Sequence, residues 1–352
     1  MKTHHSFAAT LIAWQRIHGR HDLPWQGTRD AYRIWLSEIM LQQTQVDTVI
    51  PYYGRFLARF PDLPSLAAAP VEDVLTLWSG LGYYARARNL HKCAQAVMTR
   101  HGGTFPVDPA VLAELPGIGR STAAAISAFS HGTRAAILDG NVKRVLTRCF
   151  GIDGFPGSKN VENALWTLAE SLLPASDVDI YTQAQMDLGA TVCTRGKPAC
   201  GRCPLAARCV ALAEERIAEL PTPRPRRQVV ERDGRFAVIL ADGAVLLERR
   251  PSSGIWGGLL SLPELPEDAV TADWVADRFG LEVLRVAALP GFRHVFTHFT
   301  LHLAPEAIHV RRPGQTCGEE GRLWQPLAEL DAAALPAPIR KLLTELATTP
   351  AR

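Results

Sequence analysis

Four cysteines in the second half of the chain have the spacing of ligands to one inorganic centre. Cys193, Cys200, Cys203 and Cys209 form the run Cys-x6-Cys-x2-Cys-x5-Cys. Four thiolates can hold either a zinc ion or a [4Fe–4S] cluster. Zinc ribbons usually combine two close cysteine pairs, whereas a single close pair is flanked here at six and five residues. This spacing favours the [4Fe–4S] cluster.

Two disulfide bonds are the alternative for these four cysteines. The chain has no apolar signal peptide at its start, and disulfides are rare in reducing compartments. We therefore expect a cytoplasmic protein with reduced thiols. The remaining cysteines, Cys93, Cys149 and Cys317, stand alone in the sequence and are interpreted as small core residues.

A second motif, Leu115-Pro116-Gly117-Ile118-Gly119, could bind phosphate. Its glycines allow a sharp turn between two short helices, and the free amides that begin the next helix, near Ser121, could receive an anion. Taken alone, such a turn most often only joins two helices. A helix-hairpin-helix over about 109–130 would hold a DNA backbone without contacting the bases.

A carboxylate follows this predicted hairpin. Nineteen residues separate Gly119 from Asp139, enough for a helix of about three turns and a return to the bound strand. Asp139 could instead simply cap the helix that follows it. The hairpin, the aspartate and the four cysteines occur in one order that is hard to obtain by chance.

Composition and pattern predict two domains. The chain has 352 residues, is 47% hydrophobic and carries a net charge of only +3, which by itself does not indicate a nucleic-acid partner. No apolar stretch is long enough to span a membrane. Residues 1–220 predict an all-α region, the Pro- and Arg-rich segment 221–230 predicts an extended linker, and 231–352 predict a smaller α+β domain.

Apolar residues at helical or alternating spacing locate the elements. The predicted helices are Ala31–Val46, Val71–Ser79, Ala85–Arg100, Pro109–Leu115, Ser121–Ser130, Asn141–Cys149, Val161–Leu172 and Ile180–Thr191. The predicted strands are Arg235–Leu240, Ala244–Glu248 and Phe292–Leu303, the first two joined by the hairpin turn Asp242-Gly243.

Several strings resemble the iron–sulfur DNA glycosylases of the helix-hairpin-helix superfamily, and among them the MutY-type adenine DNA glycosylases. The similarity is dense at Trp35-Leu36-Ser37-Glu38, Met40-Leu41-Gln42-Gln43-Thr44-Gln45 and Ile137-Leu138-Asp139-Gly140-Asn141-Val142. It runs from about Leu23 to the last 20 residues. The resemblance implies a monofunctional base-excision enzyme that removes adenine mispaired with 8-oxoguanine or guanine. It also implies a [4Fe–4S] cofactor, a double-stranded DNA partner, a monomer and no membrane association.

The resemblance assigns the chemistry to Glu38 and Asp139, with Asn141 beside the sugar. Hydrolysis of an N-glycosidic bond needs an acid for the leaving base and an anion for the oxocarbenium-like sugar. An apolar setting would raise the pKa of Glu38, which could then protonate N7 of adenine. Asp139 would remain ionised and stabilise the sugar cation. Without the resemblance, a helical carboxylate beside a tryptophan is most often a surface residue.

The resemblance assigns further residues to DNA recognition, in which the target base must leave the stack. They are Gln26, Ser121 and Gln183 beside the adenine and sugar, Gly117 and Gly119 at the phosphate, and Gln43, Thr44, Leu81 and Tyr83 at the wedge and the opposite 8-oxoguanine.

The second domain resembles the Nudix-related module of these enzymes. Gly258 and Glu264 begin the Nudix spacing, but Ala272-Asp273 and Ala276-Asp277 replace most of the acids that would hold magnesium. We therefore expect lesion recognition and no nucleotide hydrolysis. Phe296-Thr297-His298 resembles the loop that contacts 8-oxoguanine, with threonine where the family usually has serine.

Two other functions remain open at this point. An endonuclease III-like glycosylase and AP lyase on oxidised pyrimidines would have a lysine at the position of Ser121. A non-enzymatic iron–sulfur DNA-binding module would not need Glu38 and Asp139. The sequence favours the adenine glycosylase.

Overall fold

The computed structural model describes residues 2–225, 230–251, 254–296, 299–311 and 321–348, with the backbone alone for residues 2–6. The chain divides into two compact units. The first comprises Met1–Ala69 and Asn89–Arg226, and the second comprises Pro70–Arg88 and Arg227–Arg352. A segment of the helical region therefore packs as part of the C-terminal unit. Residues 226–229 of the predicted linker lie outside the described residues.

The described residues before the linker form helices and loops, as predicted. The α-helices are α1 (Lys2–His18), α2 (Ala31–Leu41), α3 (Val46–Arg59), α4 (Leu63–Ala68), α5 (Val71–Trp78), α6 (Ala85–Arg100), α7 (Pro109–Leu112), α8 (Arg120–His131), α9 (Gly140–Phe150), α10 (Lys159–Ser171), α11 (Val178–Asp187) and α12 (Val210–Ala213). A π-helical turn spans Leu188–Val192, and 3-10 turns span Cys200–Arg202 and Ala206–Arg208. Of these helices, α5 and the first turn of α6 belong to the second unit.

The predicted helix Ala31–Val46 is in fact two helices. α2 ends at Leu41 and α3 begins at Val46, because Gln43 between them has a φ of 57°. This left-handed conformation ends an α-helix and is uncommon for a residue other than glycine. The break places residues 42–45 in an exposed turn.

Helices α1, α9 and α11 surround the core of the first unit. Phe7, Leu11, Ile137, Leu146 and Tyr181 are among its buried side chains. Alanines fill much of the buried face of α8, and their small size lets α2 and α11 approach that helix closely. Since α2 packs against α8, the residues on the inner face of α2 come near the start of α9.

The second unit combines a mixed sheet with helices. Its strands are β1 (Val230–Ala241), β2 (Ala244–Arg249), β3 (Leu260–Ser261), β4 (Glu264–Leu265), β5 (Glu282–Ala288), β6 (Phe292–Val295), β7 (Phe299–Arg311) and β8 (Arg322–Pro326), and its C-terminal helices are α13 (Thr271–Phe279) and α14 (Ala337–Thr348). In the described residues the strand order is β3-β2-β1-β7-β5, with β4 beside β1, β6 beside β7 and β8 beside β2. β1 and β7 are parallel and the other pairs are antiparallel.

The predicted β-hairpin at Asp242-Gly243 is confirmed. Leu240 pairs with Val245 and Ala241 with Ala244, and the two turn residues have φ values of 48° and 74°. Two successive positive φ values define the turn type that matches the twist of paired strands. The sequence therefore sets the register of β1 and β2.

The predicted strand Phe292–Leu303 contains an interruption. β6 ends at Val295 and β7 begins at Phe299, and Thr297 and His298 lie outside the described residues. Cys317 lies outside them as well, whereas Cys93 and Cys149 are buried as predicted. No helix among the described residues is long and apolar enough to cross a membrane.

Candidate active site

Glu38 lies on α2 at the wall of a cavity of about 530 Å³ in the first unit. Asp30 begins this helix by accepting a hydrogen bond from the Tyr32 amide, and the neighbouring Trp35 and Ile39 are buried. Burial, together with the negative charge of Asp139, raises the pKa of Glu38 to about 8. The carboxyl is therefore protonated at neutral pH and can donate a proton into the cavity.

Asp139 precedes α9 and caps its first turn. Its Oδ1 accepts from the Val142 amide at 2.8 Å, and its Oδ2 accepts from Asn141 Nδ2 at 3.1 Å. Burial raises the pKa of Asp139 above its usual range, and these hydrogen bonds offset part of that rise. The capping role considered for Asp139 is present, and it coexists with the position of this carboxyl near Glu38.

The two carboxyls differ in what surrounds them. Glu38 has no hydrogen-bond donor among the described residues, while Asp139 accepts from amides of the chain and from Asn141. Two close buried carboxyls do not readily ionise together, so one of the pair holds the proton. The donors around Asp139 assign the negative charge to it and the proton to Glu38.

Asn141 is itself fixed by an arginine one turn along α9. Arg144 Nη2 donates to Asn141 Oδ1 at 2.9 Å and to the Gly189 carbonyl at 2.7 Å, and its Nε donates to the Cys193 carbonyl at 2.7 Å. A Cβ on Gly189 would lie 2.5 Å from Asn141 Cβ, so this close approach requires glycine. A continuous set of hydrogen bonds thus joins Asp139 to the first cysteine of the four. Sequence analysis did not identify Arg144.

The predicted helix-hairpin-helix is formed by α7, the turn 113–119 and α8. Gly117 has a φ of 79°, and a Cβ there would lie 2.8 Å from Asn89 Cβ. Gly119 has a φ of −92° and no crowding atom, so its backbone does not demand glycine. Both glycines are exposed at the start of α8, where the first amides of a helix lack internal acceptors. This exposed end can receive an anion.

Ser121, in the first turn of α8, is tied to the residue before Asp139. Its Oγ accepts from the Leu138 amide at 2.9 Å. The contact positions the turn that carries Asp139. A hydroxyl at this position cannot form the imine through which an amine would cleave an abasic strand.

Gln183 on α11 lines the same cavity as Glu38, but Gln26 does not. The Gln26 Oε1 accepts from the Leu23 amide at 3.2 Å, and its Nε2 donates to the Arg20 carbonyl at 3.0 Å. The side chain stabilises the turn 20–26, whose residues Leu23 and Trp25 line the cavity, and the contact of Gln26 with a base stays a prediction. Arg20 lines the cavity instead, and sequence analysis did not identify it.

Gln43 and Thr44 occupy the turn between α2 and α3. Gln43 is exposed and Thr44 is half-buried. Gln42, one residue earlier, donates from Nε2 to Thr122 Oγ1 at 3.4 Å. The turn is therefore linked to the first turn of α8, which follows the hairpin.

Leu81 and Tyr83 belong to the second unit, in the loop 79–84 between α5 and α6. Gly80, Gly82 and Tyr83 have φ values of 96°, 76° and 51°. Arg86 Nη2 donates to the Leu81 and Gly82 carbonyls at 3.3 and 3.1 Å and stabilises this conformation. The Tyr83 side chain is half-exposed while Leu81 is buried, so Tyr83 is the more accessible of the two predicted wedge residues.

C-terminal residues hold the same loop within the second unit. Ser79 Oγ donates to the Leu335 carbonyl at 3.1 Å, and Arg340 Nη2 donates to Ser79 Oγ at 3.1 Å. Arg88 donates to the Gly257 carbonyl. In two of these contacts the partner is more than 250 positions away in the chain. The conformation of the loop 79–84 therefore depends on distant residues.

The four predicted metal-binding cysteines line one small apolar pocket together with Val192, Pro198, Ala206, Leu212 and Ile217. All four are free thiols. Burial, reinforced by the nearby Cys193 and Cys209, raises the pKa of the Cys203 thiol to about 11. Such a thiol gives up its proton when a cation replaces it.

The arrangement of the thiols bears on which inorganic group they fit. Among the described residues, no three His, Cys, Asp or Glu side chains are grouped closely enough to hold one metal ion. Four thiolates on a single zinc ion would be about 3.8 Å apart, as follows from Zn–S bonds of about 2.3 Å in a tetrahedron. In a four-iron cluster each cysteine binds a different iron, so the sulfurs are farther apart. Four thiols that line one pocket fit such a cluster.

Phe296 lies in an aromatic group of the second unit. Its ring centroid is 5.6 Å from that of Trp256 and 4.6 Å from those of His294 and Phe299. These contacts anchor the chain before Thr297 and His298, which lie outside the described residues. The position of Phe296 indicates a supporting role for this side chain.

The surroundings of α13 do not form a Nudix metal site among the described residues. Glu248 accepts from Arg278 Nη2 at 2.9 Å and from Arg322 Nε at 3.2 Å. Two arginines thus neutralise this carboxylate, and Asp273 and Asp277 are the acids that α13 itself contributes. The group does not have the acidic character that a magnesium site requires.

Comparisons with known families agree with this two-part architecture. Residues 36–171 match the HhH-GPD superfamily of base excision DNA repair proteins, and residues 235–345 match the NUDIX domain. Among solved structures, a thermostable thymine-DNA glycosylase matches with a TM-score of 0.56 and 29% identity over 60% of this chain and 98% of that one. An endonuclease III–DNA complex matches with a TM-score of 0.51 and 22% identity over 61% and 99%, which shows the shared fold.

Relatives of similar length are named adenine DNA glycosylases. The protein of Buchnera aphidicola subsp. Baizongia pistaciae is 35% identical over 97% of this chain and 96% of its own length. The matches to the mouse and human proteins have 32% and 31% identity. They cover 96% of this chain and 77% and 73% of those proteins. Both the catalytic region and the C-terminal domain are included in these matches. The chain therefore belongs to the adenine DNA glycosylase family.

Proposed function

We propose that this protein removes adenine that is mispaired with 8-oxoguanine or guanine, by hydrolysing the N-glycosidic bond in duplex DNA. The observation that carries the proposal is that Glu38 lies at the wall of one cavity, with a hydrogen-bonded Asp139 near enough for its charge to raise the pKa of Glu38. A cavity of about 530 Å³ is within the range of small-molecule sites and can admit a flipped purine.

In the proposed reaction Glu38 donates its proton to N7 of adenine as the bond between N9 and C1′ breaks. The base then leaves as neutral adenine, and the positive charge that develops on the sugar is stabilised by the Asp139 carboxylate. Asn141 holds that carboxylate in place. Water then adds to C1′ as its proton passes to the Glu38 carboxylate. This leaves an abasic site in the DNA and restores the protonated Glu38.

The proposed contacts around the flipped adenine and the opposite base come from three separate segments of the chain. The turn with Gln43 and Thr44 would contact the DNA beside the flipped adenine, and Tyr83 would fill the gap in the stack. Residues Thr297 and His298 of the C-terminal domain would contact the 8-oxoguanine. The helix-hairpin-helix at Gly117 and Gly119 would bind the phosphate backbone of the same duplex. One monomer supplies all of these contacts.

We further propose that Cys193, Cys200, Cys203 and Cys209 bind a [4Fe–4S] cluster. The cluster would supply a fixed cross-link for the loop 193–209. Two α9 arginines bind this loop: Arg144 donates to the Cys193 carbonyl at 2.7 Å, and Arg148 Nη1 donates to the Thr194 carbonyl at 2.8 Å. The loop therefore supports the helix that begins at Asp139.

The proposal predicts that Glu38→Gln and Asp139→Asn each abolish most of the excision while binding to the lesion duplex persists. Both changes conserve volume and remove only the acid or the charge. A general acid contributes about 10²–10⁴-fold, so single-turnover release of adenine should fall by at least about 10²-fold. Glu170→Gln, at an exposed ion pair with Arg120, is the matched control. A near-normal rate for either active-site variant would contradict the role of that residue.

A further inference from the structure

Asp187, the last residue of α11, is a carboxylate with no exposure to solvent. Its Oδ2 accepts from the Arg20 amide at 3.0 Å, and its Oδ1 accepts from Arg20 Nε at 2.7 Å. The same Oδ1 also accepts from Gln183 Nε2 at 2.9 Å. Arg20 and Gln183 both line the cavity that contains Glu38. A buried anion thus connects two polar side chains of the cavity wall.

The carboxylate determines which way the Gln183 amide points. A carboxylate can only accept hydrogen bonds, so the amide must turn its nitrogen toward Asp187 and its oxygen away from it. Among the described residues, Gln183 Oε1 has no hydrogen-bond donor, and the side chain lies at the cavity. The oxygen is therefore available as an acceptor for a molecule in the cavity.

Arg20 supplies the complementary polarity. Its Nε and its backbone amide are engaged by Asp187, and its terminal nitrogens have no acceptor among the described residues. The guanidinium can therefore donate hydrogen bonds to a molecule in the cavity. The wall then presents an acceptor on Gln183 and a donor on Arg20, both oriented by Asp187.

We propose that Asp187 is a positioning residue that makes the cavity selective for purines with a 6-amino group. Adenine has a donor at N6 and an acceptor at N1, which complement this wall. A 6-oxo purine has the reverse pattern, an acceptor at O6 and a donor at N1, and would face like groups. Unpaired polar groups in a buried site are costly, so the arrangement discriminates between the two classes of base. The inference rests on the proposed function.

The test compares release of adenine and of hypoxanthine, each placed opposite 8-oxoguanine in the same duplex, under single-turnover conditions. In Asp187→Asn the new amide can donate as well as accept, so Gln183 is free to turn over. We expect the ratio of the adenine rate to the hypoxanthine rate to fall at least tenfold. Asp153→Asn is the matched control, since Asp153 forms an exposed ion pair with Arg216, and neither residue lines the cavity. Its ratio should equal that of the unmodified protein.

A second variant keeps the test valid if Asp187→Asn does not fold. Gln183→Met conserves the length of the side chain and removes the acceptor, so the ratio should again fall at least tenfold. Adding Asp187→Asn to Gln183→Met should change the ratio less than Asp187→Asn does in the unmodified protein, because the two changes share the Gln183 amide. Unchanged ratios in Asp187→Asn or in Gln183→Met would overturn the inference. If the unmodified protein releases no adenine, the proposed function is overturned. If it releases adenine and the ratio is unchanged in the variants, only the inference about Asp187 is overturned, so the two failures are distinguishable.

Discussion

At the scale of single residues, two carboxyls of the same chemistry are given opposite charge states by their surroundings. Glu38 lies beside the buried Trp35 and Ile39 on α2 and receives no hydrogen bond among the described residues. Asp139 accepts from the Val142 amide and from Asn141. In the proposed reaction Glu38 therefore acts as the acid and Asp139 as the anion because, among the described residues, hydrogen-bond donors surround only Asp139.

This difference predicts the pH dependence of excision. Because the pKa of Glu38 is raised to about 8, the protonated acid persists at neutral pH and is lost as the pH rises through about 8. The single-turnover rate should be constant near pH 7 and fall at higher pH. In the Glu38→Gln variant the residual rate should not show this fall. A rate that increases from pH 7 to pH 9 would contradict the assignment of Glu38 as an acid.

Sequence patterns located Glu38 only through the resemblance to a family, whereas the spacing after the hairpin also indicated Asp139. Neither located the residues that orient the two carboxyls. Arg144 contacts Gly189 and Cys193, and Asp187 contacts Arg20, 167 positions away in the chain. Periodicity and short motifs carry no information about such distant partners. The same limit applies to Gln26, because no sequence pattern showed that its side chain binds its own turn.

At the scale of elements, α9 links the active site to the cysteine loop. Asp139 caps the start of this helix, and Arg148 near its end donates to the Thr194 carbonyl and, at 3.4 Å, to Cys193 Sγ. Arg148 is almost fully buried, so its charge is satisfied by this loop. An alteration of the loop should therefore be transmitted along α9.

The element-scale prediction concerns iron. The purified protein should be brown and contain about four iron atoms per chain, as expected for one cubane held by four cysteines. Cys200→Ser should lower the iron content and the yield of folded protein. Cys93→Ser, a matched change at a buried cysteine away from the four, should retain the iron. Fully active protein that contains zinc and no iron, by elemental analysis, would contradict the cluster.

The sequence predicted most helices to within a few residues, because their apolar faces repeat regularly. The exception at residues 42–45 arises because Gln43 takes a left-handed conformation, which the polar string Gln42-Gln43-Thr44-Gln45 does not reveal. The hairpin at Asp242-Gly243 was predictable because this dipeptide itself favours positive φ. A turn was therefore predictable only where the residue types themselves favour its backbone conformation.

At the scale of the whole molecule, the boundary between units does not coincide with the Pro-rich linker. Residues 70–88 pack with the C-terminal unit, and Arg340 and Leu335 hold the loop 79–84 through Ser79. The chain crosses between units three times as a result. A linear division at the linker would separate this loop from the residues that hold it.

Deleting residues 221–352 should therefore impair more than the direct contact with 8-oxoguanine. We expect the truncated protein to excise adenine, to bind the lesion duplex more weakly and to prefer A·8-oxoguanine over A·G less strongly. Arg340→Ala in the full chain should cause part of this loss, because it removes the hydrogen bond to Ser79. Lys341→Ala, at an exposed neighbour, should not. Competition binding with the two mispairs measures both effects, and unchanged discrimination after truncation would contradict this role of the C-terminal unit.

The most direct test of the account is the product of a single turnover on duplexes that contain A·8-oxoguanine, A·G or A·T. We expect release of free adenine, fastest opposite 8-oxoguanine and slowest opposite thymine. The strand should remain intact until the abasic site is cleaved by hot alkali, since Ser121 cannot form an imine. Strand cleavage coupled to base release, or release of oxidised pyrimidines in place of adenine, would contradict the account.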